Sequence, residues 1–355
     1  MSTVSASSPG TARIQIVDLD GADDRHLRPE LLASLRTAAE SIGAVLVVNH
    51  GVPLEEIETF EAKMSAILAR PRQDKAILAS PSGHPYRGWR QWPDDFGRLE
   101  LERFMVARFD DAEDARQAGV SEEHIEIFRH ENVWPADDPE FKSVLVSYRA
   151  HVIALAKRML SLYAASLGLA PSAFPTSGLD STSVTVNNYP TWLWPDAPDE
   201  DDEKLLLLEH ADGNAVTVLH QRGDYEGLQV QGPDGTWLPV PVIREALIVL
   251  SGGNLARWTN DRFVPGRHRV VAGGEAARQS TAFFYNPSLG TVVRPISELV
   301  AEGDEPHYRP HLVAEPYLNQ VDDYLNTFGR PAQIEAWRTG TPYVAEVIDP
   351  LGAST

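Results

Sequence analysis

Apolar and polar positions follow two different periods along this chain, and the change falls near Leu169. In the first half, IQIVDLD (Ile14–Asp20) alternates briefly and predicts an opening strand. RPELLASLRTAAESIG has helical spacing, with Gly43 as its stop. AVLVVNHGV then reads as a buried strand with His50 near its end, and EEIETFEAKMSAILARP as a second helix closed at Pro71. The stretch from Ser82 to Arg98, SGHPYRGWRQWPDDFGR, is rich in glycine, tryptophan and polar residues, and its composition predicts a long functional loop. LERFMVARFD predicts another strand. Asp110–Pro139 reads as irregular, with a short helix at EEHIEIF. From Lys142 to Leu169 a broad apolar stripe at helical spacing predicts the strongest helix in the chain, packed against the back of a sheet.

After Leu169 the pattern becomes a series of short strands. STSVTVNNYP, AVTVLHQ, GLQVQ, TWLPVP, ALIVLSG, HRVVA and STAFFYNP are separated by Gly, Pro, Asp and Asn, which indicates a sandwich or barrel. WPDAPDEDDEK (Trp194–Lys204) reads as a solvated acidic insertion, and positions 307 to 343 return to helix and loop. No internal repeat is visible. The expected division is a disordered tail over 1–12, an α/β region over 13–175, a catalytic β core over 176–290 and a helical and loop region over 291–355.

Composition narrows the function. The chain has 355 residues, a formal net charge of −20 and no cysteine. Such an acidic balance argues against wrapping nucleic acid or binding an anionic membrane. Disulfides, thiolate ligands and cysteine nucleophiles are excluded. The opening MSTVSASSPG lacks the charged start and apolar run of a signal peptide, and no run approaches a membrane span. A soluble cytoplasmic protein acting on a small molecule is expected, with no nucleic acid, no membrane and no obligatory protein partner.

The chemistry concentrates in LLEHADGNAVTVLHQ. His210 and Asp212 are two residues apart, and alternate residues of a strand share a face. His268, in PGRHRVV, comes 56 positions after Asp212 and can supply a third ligand. Two histidines and one carboxylate form a facial triad that leaves coordination positions open on Fe(II). Hydrolytic zinc uses similar ligands, so the triad alone does not specify iron. A bare H-x-D is weak as a motif, and His220 is a competing histidine ten residues after His210.

The order of the surrounding pieces resembles the isopenicillin N synthase-like 2-oxoglutarate/Fe(II) dioxygenases. VNNYP (Val186–Pro190), HADGNAVTVLHQ, GLQV (Gly227–Val230), LIVLSGGNLARWTNDRF, HRVV and RQSTAFFYNP (Arg278–Pro287) follow that family's order. GAVLVVNHGVP (Gly43–Pro53), LERF and NVWP (Asn132–Pro135) are similar to its N-terminal half, although Ala44 and Val45 replace an aromatic pair. The resemblance covers about Ile14 to Thr327. It implies a mainly β fold with flanking α-helices around a double-stranded β-helix (jelly-roll) core.

The resemblance also implies site roles. His210, Asp212 and His268 would hold Fe(II), with 2-oxoglutarate chelating the metal and O2 as co-reactant. Arg278 would anchor the distal carboxylate, Ser280 would add a hydroxyl, and Tyr189 and Asn187 would contact the cosubstrate or line the cavity. The implied reaction oxidises a C–H bond, most simply by hydroxylation, with release of succinate and CO2. A glycine or alanine at 212 would open a site for halide; the carboxylate favours hydroxylation, desaturation or cyclisation over halogenation.

Substrate contacts are expected from Arg87, Trp89, Arg90 and Trp92 in a lid loop, with Trp192, Trp194 and Phe283 as further candidates. The expected substrate is an amino acid, a peptide or a natural-product acid, and the composition fits secondary metabolism such as antibiotic biosynthesis. The alternatives left open are a 2-oxoglutarate-independent ring-forming oxidase, a desaturase, an ethylene-forming type of enzyme, a metallohydrolase and a non-catalytic ligand-binding jelly roll.

Overall fold

The computed structural model describes residues 13–21, 28–93, 99–189, 205–273, 277–328, 331–339 and 341–342. The tail expected over 1–12 and the acidic insertion expected over 194–204 lie outside these residues. Strands β1 (Gln15–Asp18) and β2 (Ala44–Val48) flank helix α1 (Pro29–Ser41). Helices α2 (Leu54–Leu68) and α3 (Arg72–Ala76) lead to the hairpin of β3 (Gly88–Pro93) and β4 (Leu99–Val106). Helix α4 (Ala112–Ala118) and a 3-10 segment (Glu122–Phe128) precede the long α5 (Phe141–Ser166).

The strands of the second half are β5 (Ser183–Tyr189), β6 (Leu205–His210), β7 (Val216–Gly223), β8 (Leu228–Gln231) and β9 (Trp237–Pro239). They continue with β10 (Leu247–Ser251), helix α6 (Gly253–Trp258), β11 (His268–Val271) and β12 (Arg278–Tyr285). A short pair, β13 (Val292–Val293) and β14 (His311–Leu312), leads to α7 (Glu315–Phe328) and α8 (Pro331–Thr339).

Two sheets face each other. The larger has the order β1-β2-β10-β7-β12-β5-β4-β3 and the smaller β6-β11-β8-β9. Only β1 and β2 pair in parallel among the registered pairs of these two sheets. Alternation gives each strand of the large sheet two apolar fates. Val218, Val249 and Phe283 face outward into a core shared with α1, α2 and α5. Leu219, Ile248 and Ala282 face inward against Leu206, Leu228 and Val270 of the small sheet. The result is the double-stranded β-helix with flanking helices.

Local chemistry sets the helix that covers the first strands. Pro29 opens α1 at a position whose N–H has no helical partner, and Glu30 sits in the first turn. At its end the amides of Ile42 and Gly43 both donate to the carbonyl of Ala38, at 2.9 and 2.8 Å. Gly43 has φ +69°, so the chain can reverse into β2 without a Cβ in the way. The helix expected at Lys142–Leu169 is α5, and its Tyr148 meets Phe283 of β12 edge-on at 4.7 Å between ring centroids.

Two expectations need correction. The stretch expected as a loop from Ser82 to Arg98 carries strand β3 over Gly88–Pro93, paired antiparallel with β4. Its Gly, Pro and Trp content hides a real alternation, because Trp89 is buried in the outer core while Arg90 takes the other face. The region expected as irregular after Asp110 contains α4, capped by the Asp111 side chain accepting from the amide of Asp114. Among the described residues no helix is long and apolar enough to cross a membrane.

Candidate metal centre and its cavity

Strands β6 and β11 of the small sheet pair so that His210 stands opposite His268. Their ring centroids are 4.2 Å apart. Each Nδ1 lies 2.9 Å from a backbone carbonyl, of Leu208 for His210 and of Gly266 for His268. These contacts take the Nδ1 proton and leave both Nε2 atoms as lone-pair donors. Burial, then the neighbouring His268, pushes the pKa of His210 down, which keeps the imidazole neutral and ready to coordinate.

Asp212 does not share a strand with His210, contrary to the alternation expected from H-x-D. Strand β6 ends at His210, and Asp212 lies in the following turn. Three contacts place it there. Its carbonyl accepts from the amide of Gly253 at 2.7 Å, its Oδ2 accepts from the Thr217 hydroxyl at 2.5 Å, and Oδ1 remains 3.7 Å from His210 Nε2. One ligand atom from each of His210, Asp212 and His268 falls within 4.8 Å of the other two. Two imidazoles and one carboxylate gathered at the wall of a cavity fit Fe(II) held with positions left open.

His220 is not part of this cluster. It points to the outer face of β7, where Nδ1 meets Glu61 Oε1 and Nε2 lies 3.2 Å from the carbonyl of Arg244.

Beside the cluster, a cavity of about 1080 Å³ opens between the sheets. Asn187, Tyr189, Arg278 and Ser280 all line it. Strand register explains why: Asn187 stands opposite Ser280, and Tyr189 opposite Arg278. Arg278 is 2 % exposed. Its Nη2 donates to Gln221 Oε1 at 3.2 Å, while Nε and Nη1 are buried with no hydrogen-bond partner. Gln221 is fixed in that orientation because its Nε2 donates to the carbonyls of Val240 (3.1 Å) and Pro241 (2.9 Å). Burial pushes the Arg278 pKa down, with Tyr189 and Tyr225 opposing it, and the Tyr189 ring centroid lies 5.2 Å from the guanidinium carbon. A buried guanidinium with two idle nitrogens fits a carboxylate, which a guanidinium binds in bidentate fashion.

The expected substrate contacts separate. Arg87 lines the cavity. Trp89 is 1 % exposed in the outer core, on the face away from the cavity. Arg90 does not line the cavity; its Nη2 approaches Gln333 Oε1 of α8 at 3.5 Å. Phe283 is fully buried against Tyr148, so the next residue, Phe284, faces the cavity instead. Trp192, with Trp194, and the side chain of Trp92 lie outside the described residues.

Several residues at the site escaped sequence reasoning. Arg103 of β4 lines the cavity and donates from Nε to Asn187 Oδ1 at 2.9 Å. Gln221 and Thr217 orient Arg278 and Asp212. Tyr317 of α7 also lines the cavity, and its hydroxyl accepts from Asn286 Nδ2 at 3.1 Å. For Thr217 and Gln221 the alternation of VTVLHQ was a usable signal; for Tyr317 the sequence offers none.

Fold and site together define a double-stranded β-helix with a two-histidine, one-carboxylate metal cluster. The profile of the 2OG-Fe(II) oxygenase superfamily matches residues 181–287. That of the non-haem dioxygenase in morphine synthesis N-terminal region matches residues 14–137. Gibberellin 2-beta-dioxygenase 4 of Arabidopsis thaliana is 31% identical over 309 residues, which cover 84% of this chain and 89% of that protein. The crystal structure of JOX2 in complex with 2OG, Fe and JA superposes with a TM-score of 0.70 at 24% identity, covering 93% of this chain and 89% of that one. The dioxygenase for auxin oxidation of rice gives a TM-score of 0.65 at 22% identity over 93% of this chain and 100% of that one. The chain belongs to the 2OG-Fe(II) oxygenase superfamily. It is a 2-oxoglutarate- and Fe(II)-dependent dioxygenase.

Proposed function

We propose that this enzyme hydroxylates an unactivated C–H bond of a small organic molecule, with Fe(II) held by His210, Asp212 and His268. Substrate, O2 and 2-oxoglutarate would yield the alcohol, succinate and CO2. Fe(II) and 2-oxoglutarate, when bound, supply the oxidation, coupling loss of CO2 to attack on the C–H bond.

The observation that carries this reading is the Arg278 guanidinium, buried in the same cavity as the metal cluster with Nε and Nη1 unpartnered. Ser280, 3 % exposed and on the same face of β12 as Arg278, adds a hydroxyl to the same subsite. Arg278 and Ser280 would fix one end of 2-oxoglutarate so that its other end meets the metal. Tyr189, stacked near the guanidinium, and Asn187, opposite Ser280, would wall that subsite. Met105, Leu207 and Phe284 give the cavity apolar surface on which the body of a substrate can rest with water excluded.

The test is an anaerobic visible-absorbance titration of Fe(II)-loaded protein with 2-oxoglutarate. A saturable charge-transfer band that is lost in Arg278→Ala supports direct chelation anchored at Arg278. Bound Fe(II) with no band at any 2-oxoglutarate concentration would sink the reading.

A further inference from the structure

We infer that the primary substrate carries a carboxylate and that Arg87 is its counter-charge, at a part of the cavity separate from the Arg278 subsite. This inference rests on the oxygenase reading above and names the substrate class of that same cavity.

Arg87 precedes β3 and is 7 % exposed, yet it lines the cavity. Among the described residues its guanidinium donates only to backbone carbonyls: Nη1 to Tyr86 at 2.9 Å, Nη2 to Ile127 at 3.2 Å and Nε to His130 at 3.4 Å. A guanidinium has five N–H groups, so one on each Nη stays available. Those carbonyls fix the plane of the group without neutralising it. No carboxylate of the described residues acts on it; burial pushes its pKa down to about 10, and Tyr317 is the neighbour that opposes this.

Among the described residues the other buried cations are Lys75, Arg149 and Arg278. Lys75 is paired with Glu102 at 2.7 Å. Arg149 has Asp180, Asp110 and Asp114 acting on it and does not line the cavity. Arg278 and Arg87 are the two of this group that line the cavity and have no carboxylate acting on them. A buried charge without a partner is costly, and a ligand that brings the partner recovers that cost on binding. The cosubstrate accounts for Arg278. Arg87 requires a second anion.

Geometry keeps the two apart. Arg278 lies on β12, whereas Arg87 abuts Gly88 of β3, three strands away in the order β12-β5-β4-β3. The surroundings of Arg87 also suit an anion. His84 and His130 pack against each other at 5.3 Å between rings, and burial followed by the nearby arginines pushes both well below the ordinary histidine range, His130 to about 4. Both are therefore neutral at pH 7 and do not add a second charge beside Arg87. The Tyr317 hydroxyl, which also lines the cavity, adds a donor. Met105 and Phe284 add apolar lining to the cavity that Arg87 shares with the metal ligands.

The experiment uses full-length protein loaded anaerobically with Fe(II) and saturating 2-oxoglutarate, so that the Arg278 subsite is filled. Aliphatic and aryl monocarboxylic acids, each beside its primary amide, are titrated while the charge-transfer band is followed. We expect at least one acid to perturb the band with tenfold or greater preference over its amide. Arg87→Gln, which keeps N–H donors for the carbonyls but removes the charge, should bring acid and amide within about twofold, with 2-oxoglutarate binding retained. Arg87→Lys should restore part of the preference. If Arg87→Gln fails to fold, Tyr317→Phe serves instead, with an expected several-fold loss of acid preference. No acid preferred over its amide, or a preference unchanged in the folded variant tested, overturns the inference. Absence of the 2-oxoglutarate band in the wild type would instead defeat the oxygenase reading beneath it.

Discussion

His210 and His268 are each oriented by one backbone carbonyl, and Asp212 by Gly253 and Thr217, so single substitutions should have large and separable effects. We expect His210→Ala and Asp212→Ala to lose iron, read as metal content after gel filtration; stoichiometric iron in both would refute the ligand set. Arg278→Gln removes a charge-assisted pair with the cosubstrate, which is worth about 2 kcal/mol, or roughly thirtyfold in the 2-oxoglutarate dissociation constant. Iron content should stay unchanged, which separates anchor from ligand. The residue types at the site were legible in the sequence because few residues can do this chemistry. Their directions were less so. Phe283 and Phe284 are adjacent aromatics, and only the phase of β12 decides that Phe283 packs on Tyr148 while Phe284 faces the cavity. A phase error of one residue exchanges the two faces of a strand.

Among the elements, the turn that carries Asp212 is held by α6 rather than by strand pairing. The amide of Gly253 holds the Asp212 carbonyl, and the amide of Asn254 donates to the Asn214 carbonyl at 3.1 Å. This close approach requires a missing side chain at Gly252, where a Cβ would lie 1.9 Å from the Asn214 carbonyl oxygen. Gly252→Ala should therefore push the turn outward and cost about 1–3 kcal/mol. Urea unfolding would measure the cost, and iron affinity should fall with it; a variant as stable as wild type would show that the turn adapts. The GGN run was visible in the sequence, but its role was not, because it depends on Asn214, 38 residues upstream of Gly252. Strand β3 was hidden for a related reason. Its Gly88, tryptophans and Pro93 read locally as a loop, and only the pairing of Arg90 with Arg103 across the hairpin makes it a strand.

At the scale of the molecule, the outer helices are fastened to the large sheet by polar links as well as by the apolar core. His220 of β7 meets Glu61 of α2 across this interface. Burial pulls the His220 pKa down, but the hydrogen bond and charge of Glu61 outweigh burial, and the folded value lies above 6.5. A raised histidine pKa means that the folded state binds the proton more tightly than the unfolded chain. The stabilisation is fully present below the unfolded value and fades as pH rises through the raised folded value. We expect the difference in unfolding free energy between wild type and His220→Gln, both metal-free, to be larger at about pH 6 than at about pH 8.5. A difference that is flat with pH would remove His220 from this role.

The sequence by itself determined most of the elements, β3 and α4 excepted, the change from helical to strand period near Leu169, and the residue types able to bind a metal and a carboxylate. These depend on local periodicity and on side-chain chemistry, both of which are written residue by residue. The tertiary structure decided the rest. It set the register that puts His210 opposite His268, moved Asp212 off the strand into a turn, turned Trp89 and Phe283 away from the cavity, and brought Tyr317 of α7 into its wall. It also left Arg87 buried with no counter-ion among the described residues. Each of these outcomes depends on a partner distant in sequence, because burial, strand phase and charge compensation are properties of packed pairs and not of any one segment.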